Sequence, residues 1–292
     1  MSRKNAELLL AGVIVARSMS LLFAKKALDT LDPFNLLAAR FCLAFLVLAV
    51  LFFRPLRRAS WSDIRGGMLL GAAFFAVMTT EMYALRQTAS STVSFLVNTA
   101  IIIVPLLKAA MEHSRPERKD LISAGVTLVG VACLTLRGGL VGLGWGEGLC
   151  LIEALLYSCA ILLTSTLSRK RDPLVLGIVQ IGTMGVLSLG ASLLLETPHM
   201  PQTGREWAMV LALALVCSCF GFTFQPVAQR YVSAERAGQF CALNPLSATI
   251  LGTIFLHERL GLWGMIGAAL ILAGIRIQSV GEKTPDRAGE TA

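Results

Sequence analysis

Four ionisable residues stand inside long apolar stretches: Arg17, Arg40, Glu81 and Glu153. A charge at the centre of a membrane-spanning helix costs about 2.5–3.5 kcal/mol on insertion scales, so it normally faces a polar cavity or a charged partner. In one interpretation, Arg17 meets a carboxylate of a bound molecule, and Glu81 or Glu153 meets a cation or a proton. In the other, the charges pair with one another and hold helices together. Glu81 is near the end of its stretch and could also be solvated.

Uncharged polar residues accompany these charges. Tyr157 follows Glu153 by four residues and therefore shares its helix face. Asn98, Gln225 and Asn244 also stand within apolar stretches, where such residues either contact a substrate or join two helices. We predict a substrate-binding set with the members Arg17, Glu81, Asn98, Glu153, Tyr157, Gln225 and Asn244.

Residue patterns of enzymes are absent from the sequence. The histidines His113, His199 and His257 are far apart, and neither a nucleophile motif nor a phosphate-binding glycine loop is present. The seven cysteines lie in or beside apolar stretches, and their odd number does not suit a disulfide framework. We therefore expect no enzyme activity, no metal site and no cofactor.

The elements that carry these residues are apolar stretches of about 20 residues, the length that a helix needs to cross a bilayer. The chain has 292 residues, of which 55% are hydrophobic and 15% charged. A net charge of +8 could suggest nucleic acid, but the basic residues flank the stretches and do not form a patch, so we expect no such partner. The predicted fold is an all-α polytopic membrane protein in the lipid bilayer. Its ten predicted helices are 7–28, 33–53, 64–86, 90–111, 119–137, 147–167, 173–195, 207–231, 236–256 and 260–279.

The sequence also indicates an internal repeat. Asp32-Pro33 and Asp172-Pro173 each open a helix and are 140 residues apart, while Ala84 and Ala228 are 144 apart. Two five-helix repeats would account for this, over 1–138 and 139–279, followed by a polar tail over 280–292. Because five is an odd number, the second repeat would be inverted in the membrane, as in many secondary transporters.

Lysine and arginine residues indicate the orientation. With ten crossings, 18 of the 26 basic residues fall on the side of the N-terminus and six on the other side, while Arg17 and Arg40 lie within helices. Cytoplasmic loops carry such an excess, so both termini are predicted to be cytoplasmic in a multi-pass protein of the inner (plasma) membrane.

The last part of the chain carries a recognisable pattern, formed by Ala228, Pro245, Glu258, Gly267, Leu270 and Gly274. At this spacing it resembles the second half of an EamA-like transporter of the drug/metabolite transporter superfamily. The resemblance implies a central cavity lined by helices 1, 3, 4, 6, 8 and 9. It also favours a structural role for Arg40, because the family often has an arginine there. The first half departs from the pattern, with Ile101 at the position that matches Pro245.

Prolines and glycines inside the stretches have predicted mechanical roles. Pro105 and Pro245 each remove a helical hydrogen bond and are candidate hinges. Pairs of glycines four residues apart allow two helices to approach closely. Two such pairs are Gly67 with Gly71 and Gly144 with Gly148.

The predicted function is secondary transport, by alternating access, of a small metabolite. One buried arginine with carboxylates suits an amino acid or related zwitterion, and the direction is predicted to be export. Glu81 or Glu153 could carry a coupled proton. One alternative is a multidrug exporter of cationic compounds, which should have an aromatic, acidic cavity. A second is a non-transporting membrane receptor or assembly factor. All four tryptophans lie near helix ends, which is typical of interfacial belts: Trp61, Trp145, Trp207 and Trp263.

Overall fold

The computed structural model describes residues 1–135, 144–255 and 262–279, and all regular secondary structure in them is helical. The first half contains α1 (Arg3–Ser18), α2 (Ser20–Ala27), α3 (Pro33–Leu51), α4 (Phe53–Arg57), α5 (Trp61–Gln87), α6 (Ser90–Val97), α7 (Ala100–Met111) and α8 (Arg118–Thr135). The second half contains α9 (Trp145–Lys170), α10 (Pro173–Leu195), α11 (Gly204–Ala212), a π-helical segment (Leu213–Phe220), α12 (Gly221–Gln229), α13 (Ala234–Phe240), α14 (Leu243–Phe255) and α15 (Leu262–Ser279).

Seven helical stretches within the described ranges are long and apolar enough to cross a membrane, and their ends agree with the prediction to within about one helical turn. They are Arg3–Ala27, Pro33–Leu51, Trp61–Gln87, Ser90–Met111, Trp145–Lys170, Pro173–Leu195 and Gly204–Gln229. The other three predicted stretches are also helical where they are described, in α8, α13 with α14, and α15. They are less suited to a bilayer by length and composition, since α8 begins with Arg118, Lys119 and Asp120 and the ninth stretch is divided in two.

Three of the predicted stretches are interrupted within their length in the described residues. The first is interrupted at Met19, the fourth at residues 98–99 and the ninth at residues 241–242. Hydroxyl groups bond to carbonyl oxygens next to two interruptions, Ser18 to Val15 and Thr99 to Leu96, both at 2.6 Å. Broken helices are tolerated inside a membrane protein where they line a cavity or are covered by protein.

The two Asp-Pro pairs begin helices, as predicted, because proline needs no hydrogen-bond partner for its nitrogen in the first turn. Asp172 caps α10 through hydrogen bonds from the backbone N–H groups of Leu174 and Val175. Asp32 precedes α3 without such a bond. Its carboxylate instead pairs with Arg86 at 2.7 Å, which ties the start of α3 to the end of α5.

Glycines allow α5 to pack closely on α10. A Cβ at Gly67 would stand 2.6 Å from the Cβ of Val179, and one at Gly71 would stand 2.6 Å from the Cβ of Thr183. The expectation for Gly67 and Gly71 is thus confirmed. The matching expectation for Gly148 is wrong, because a Cβ there would have no atom within 4 Å.

Helices α8 and α15 approach each other through glycine in the same way. A Cβ at Gly130 would stand 2.8 Å from the carbonyl oxygen of Gly267, and one at Gly267 would stand 2.6 Å from that of Gly130. Further along, Gly274 lies against Thr127 and Ser123. Small residues therefore set the distance between the last helices of the two halves.

The outer surface is strongly apolar, as a lipid-facing surface must be. Leu8, Val50 and Leu194 are exposed by 72%, 79% and 84%. The four tryptophans are exposed and lie in the first turn of α5, α9, α11 and α15. All seven cysteines are free. Three features of the sequence prediction lie outside the described residues: the segment His257 to Arg259 with Glu258, the boundary between 138 and 139, and the tail 280–292.

Candidate functional site

A cavity of about 430 Å³, including the space at its mouth, lies between helices of both halves of the chain. Its wall includes side chains from α1, α2, α3, α5, α6, α9, α12 and α14. The polar members of the wall are Arg17, Ser20, Arg40, Glu81, Ser94, Asn98, Glu153 and Asn244.

Arg17 lies in the last turn of α1, directly before the interruption at Met19. Its Nη1 donates to Gln225 Oε1 at 2.6 Å and to the Tyr157 hydroxyl at 3.4 Å. Its guanidinium carbon is 4.2 Å from the centre of the Phe222 ring, within cation–π range. These contacts fix Arg17 against α9 and α12 without any carboxylate at ion-pair distance in the described residues.

Arg40 of α3 is 1% exposed and faces the same cavity. Its Nε donates to Ser218 Oγ at 2.7 Å, and its Nη1 donates to Ser20 Oγ at 3.0 Å. Its Nη2 has no hydrogen-bond partner among the described residues. Two hydroxyl groups therefore orient the guanidinium, and one of its nitrogens is left for another acceptor.

Glu81 of α5 and Glu153 of α9 bring two carboxyl groups to the cavity wall. The two groups are close enough for a hydrogen bond between them when one carries a proton. Glu153 is 1% exposed, and its Oε2 has no partner among the described residues. Since like charges at short distance repel each other, this pair is suited to binding one proton or one cation.

Two asparagines complete the polar wall at the helix interruptions. Asn98 follows the last residue of α6, and its Nδ2 donates to the carbonyl oxygen of Ser94 at 2.6 Å. Asn244 lies in the first turn of α14, just after the interruption at 241–242. The Oδ1 atoms of both asparagines are buried and lack a partner in the described part of the chain.

The cavity brings together five members of the predicted substrate-binding set. These are Arg17, Glu81, Asn98, Glu153 and Asn244. The other two, Tyr157 and Gln225, lie behind Arg17 and hold its guanidinium, and the Tyr157 hydroxyl also lies 3.4 Å from Cys241 Sγ.

Sequence reasoning overlooked several residues of the wall. Ser94 is one helical turn from Asn98 and Phe222 is three residues before Gln225, so the helix periodicity of the polar residues could have identified both. Ser20 follows the helix interruption at Met19, and no residue type at this point of the sequence predicts an interruption. The family resemblance favours a structural role for Arg40. Its bonds to Ser20 and Ser218 do hold helices together, yet Arg40 also faces the cavity.

The candidate hinge prolines lie beside the helix interruptions and not in them. Pro105 is buried inside α7, about two turns after residues 98–99. Pro245 is the third residue of α14, about one turn after residues 241–242, where a helix does not need the missing N–H group. The hinge role of Pro105 and Pro245 stays a prediction.

Ionic contacts connect the two halves at the end where the N-terminus lies. Buried Arg236 of α13 donates to the carbonyl oxygen of Ile275 and lies 3.4 Å from the Glu7 carboxylate. Lys108 of α7 pairs with Glu235 at 2.6 Å. At this end, charge pairs therefore link α1 and α7 to α13, and a hydrogen bond links α13 to α15.

A second polar cluster links the halves at the opposite end. Glu196 accepts hydrogen bonds from the backbone N–H groups of Phe34 and Asn35 at the start of α3. His199 places Nδ1 3.0 Å from the carbonyl oxygen of Thr197 and Nε2 3.3 Å from that of Thr30. These two carbonyl contacts raise the pKa of the imidazole above its usual value, the Thr197 contact most, and nearby Asp32 and Glu196 add to the rise.

Comparison with known proteins identifies the family. The model of the EamA-like transporter family matches residues 4–136 and again residues 144–280. An uncharacterized transporter of Archaeoglobus fulgidus is 26% identical over 283 residues, covering 95% of this chain and 87% of that protein. The uncharacterized transporter YetK of Bacillus subtilis is 23% identical over 291 residues, with coverage of 95% and 87%.

A solved structure agrees with the fold. A chain described as "Crystal structure of protein" matches with a TM-score of 0.78 at 20% sequence identity, covering 95% of this chain and 97% of that chain. At this identity the likeness concerns the fold alone.

Proposed function

The chain belongs to the EamA-like transporter family, and we propose that it moves a small zwitterionic metabolite, an amino acid or a related compound, by alternating access. A transporter of this family is a multi-pass membrane protein and not an enzyme. Our proposal adds to this family role the class of substrate and the mechanism. It also adds the direction of transport, which we infer to be export.

The observation that carries this proposal is the set of charges in the cavity. Two arginines and two glutamates line one space, yet no pair among the described residues joins Arg17 or Arg40 to Glu81 or Glu153 within 4.0 Å. Charges buried solely to hold helices together would be expected to pair directly. Charges of both signs that remain apart suit a ligand that carries both signs itself.

Alternating access requires two halves that can move against each other, and we infer two inverted five-helix repeats over 1–138 and 139–279 with ten crossings. The contacts of α8 with α15 support this arrangement. Gly130 lies against Ile271 and Gly274 lies against Thr127. Adding 144 to the first-half residue of each pair gives the second-half residue of the other pair, 130 leading to 274 and 127 to 271. The interruption at 98–99 and that at 241–242 are related by nearly the same offset.

The excess of basic residues on the N-terminal side supports cytoplasmic termini, a cytoplasmic tail over 280–292 and a location in the inner membrane. The charge pairs Glu7–Arg236 and Lys108–Glu235 would then close the cavity toward the cytoplasm. Glu81 and Glu153 offer a route for proton coupling, because a substrate ammonium group and a proton would compete for the same two carboxyl groups.

The rival exporter of cationic drugs has less support. Phe222 is the one aromatic residue among the side chains that line the cavity in the described structure, and its ring is already stacked against Arg17. A cage for flat cationic drugs uses several aromatic rings that are free to face the ligand.

Transport by the purified protein in liposomes tests the proposal. Counterflow of a labelled mixture of protein L-amino acids is measured beside a sugar, a nucleoside and a cationic dye. We expect amino-acid exchange that falls about tenfold or more in Glu153→Gln, the loss expected when one charge-assisted hydrogen bond is removed. Glu117→Gln is the matched control, because the Glu117 side chain is 66% exposed. Exchange of dye without exchange of amino acids would favour the multidrug alternative.

A further inference from the structure

Four buried polar atoms in the cavity wall lack a hydrogen-bond partner in the described structure. They are Arg40 Nη2, Glu153 Oε2, Asn98 Oδ1 and Asn244 Oδ1. Arg40, Glu153 and Asn98 are at least nine-tenths buried. A buried polar atom without a partner costs about 1–3 kcal/mol. These four atoms share one cavity, so a ligand could satisfy all of them together.

The four atoms differ in their hydrogen-bonding roles. Three are acceptors, one from a carboxylate and two from amides, and one is a donor on a guanidinium. The orientation of Asn98 follows from its Nδ2, which donates to Ser94, so that Oδ1 is the free atom. A primary ammonium group has three N–H donors and one positive charge, which matches three acceptors of which one is charged. A carboxylate matches the remaining guanidinium N–H.

We propose that Glu153 Oε2, Asn98 Oδ1 and Asn244 Oδ1 form a primary-ammonium subsite, and that Arg40 Nη2 binds the carboxylate of the same molecule. This assignment rests on the proposed function and narrows its substrate class to molecules with a free primary amine. It gives Arg40 the contact with the carboxylate, while Arg17, held by Gln225 and Phe222, forms the wall beside it.

The subsite predicts a selectivity that charge alone would not give. An N-trimethylated amino acid keeps both charges but has no N–H donor, so binding would leave three buried acceptors unpartnered. An N-acetylated amino acid lacks the positive charge that Glu153 requires. A site that binds its ligand through N–H groups rejects analogues that lack them, because its own polar atoms are then buried unpaired.

The test compares three labelled mixtures in liposome counterflow with the full-length protein: free L-amino acids, their N-acetyl derivatives and their N-trimethyl derivatives. We expect exchange of the free amino acids and at least about tenfold less of either derivative, as loss of charge-assisted hydrogen bonds requires. Comparable exchange of the trimethyl derivatives would overturn the subsite and leave zwitterion transport standing. Exchange of none of the mixtures would overturn the subsite and the proposed function together.

Variants locate the subsite independently. Asn98→Leu and Asn244→Leu remove one acceptor each and should raise the half-saturating concentration of free amino acids about tenfold. Asn98→Gln keeps the amide donor and the amide acceptor and should retain more binding than Asn98→Leu, which also covers a failure of the leucine variant to fold. Asn5→Leu, at an exposed residue outside the cavity, is the matched control. Unchanged saturation in both leucine variants would overturn the assignment.

Discussion

Arg17 and Gln225, 208 residues apart in the chain, are joined by a 2.6 Å hydrogen bond that connects α1 to α12. Gln225 is 3% exposed, so bulk solvent does not replace Arg17 as its donor. The same guanidinium also reaches the Tyr157 hydroxyl of α9. One side chain next to a helix interruption thus contacts two helices of the other half of the chain.

Arg17→Gln should therefore destabilise the protein. The shorter side chain loses both hydrogen bonds and the contact with the Phe222 ring, and it leaves Gln225 Oε1 buried without a donor. Hydrogen bonds to charged groups contribute about 1.5–3 kcal/mol, and we expect a loss of that size in the free energy of unfolding. Unfolding of the detergent-purified protein measures it, with Arg54→Gln at an exposed residue as the control. Equal stability of the two variants would contradict the role of Arg17.

Gly177→Ala and Gly190→Ala, both in α10, should change the stability of the protein in opposite directions: the first should lower it and the second should raise it. A Cβ at Gly177 would press on the backbone of Thr223 in α12, which cannot rotate away. A Cβ at Gly190 would have no atom within 4 Å. Overpacking costs about 1–3 kcal/mol, whereas replacing glycine by alanine in a helix gains up to about 1 kcal/mol. Unfolding temperatures of the two variants test this, and equal shifts would mean that the α10–α12 contact is not tight.

The ion pair of Glu7 with Arg236 should show coupling in a double-mutant cycle. The Arg236 side chain is 5% exposed, so Glu7→Gln leaves a buried charge with fewer acceptors. We expect Glu7→Gln and Arg236→Gln to be each destabilising and non-additive, with an interaction energy on the order of 1 kcal/mol. Unfolding of the wild type, the two single variants and the double variant provides the value. Strict additivity would show that the contact contributes nothing to stability.

Stability should depend on pH through His199. Because contacts with the Thr197 and Thr30 carbonyls raise the pKa of the folded imidazole, the protonated form is favoured in the folded state. The extra stability is fully present below the unfolded pKa of about 6.5 and is lost as pH rises through the higher folded value. We expect the unfolding temperature to fall over this window in the wild type.

His199→Gln should reduce that fall, since glutamine does not titrate. His113→Asn is the control, because exposed His113 has a φ of 51°, which asparagine tolerates. If the dependence on pH were the same in His199→Gln as in the wild type, then His199 would not be its source.

Much of the helical framework could be predicted because it depends on local chemistry. Apolar length gave the helix positions, and the Asp-Pro pairs gave the starts of α3 and α10. The interruption at Met19 could not be predicted in this way, since neither glycine nor proline occurs there. The prediction of close packing at Gly148 was wrong for a related reason. A glycine permits close packing, but its sequence does not show whether a second helix lies against it.

The residues of the candidate site could be predicted from their types, but the contacts between their side chains could not. Ionisable residues in apolar stretches identified Arg17, Glu81 and Glu153 before any geometry was known. The sequence could not indicate that Glu81 and Glu153 face each other, or that Arg17 is held by Gln225 and not by a carboxylate. Those relationships join residues more than 70 positions apart and follow from the packing of helices.

The π-helical segment Leu213–Phe220 has a consequence for insertions and deletions. A π-helical turn contains more residues than an α-helical turn, so the segment sets the angle at which the following helix presents its side chains. In an α-helix each residue advances the chain by about 100° around the axis. Deleting one residue there would convert the segment towards an α-helix and leave Phe222 and Gln225 near their present direction. Inserting one residue would instead turn both away from Arg17, although no contact of Arg17 would itself have been substituted. The length of this segment is thus as much a determinant of the cavity as the identity of the residues that line it.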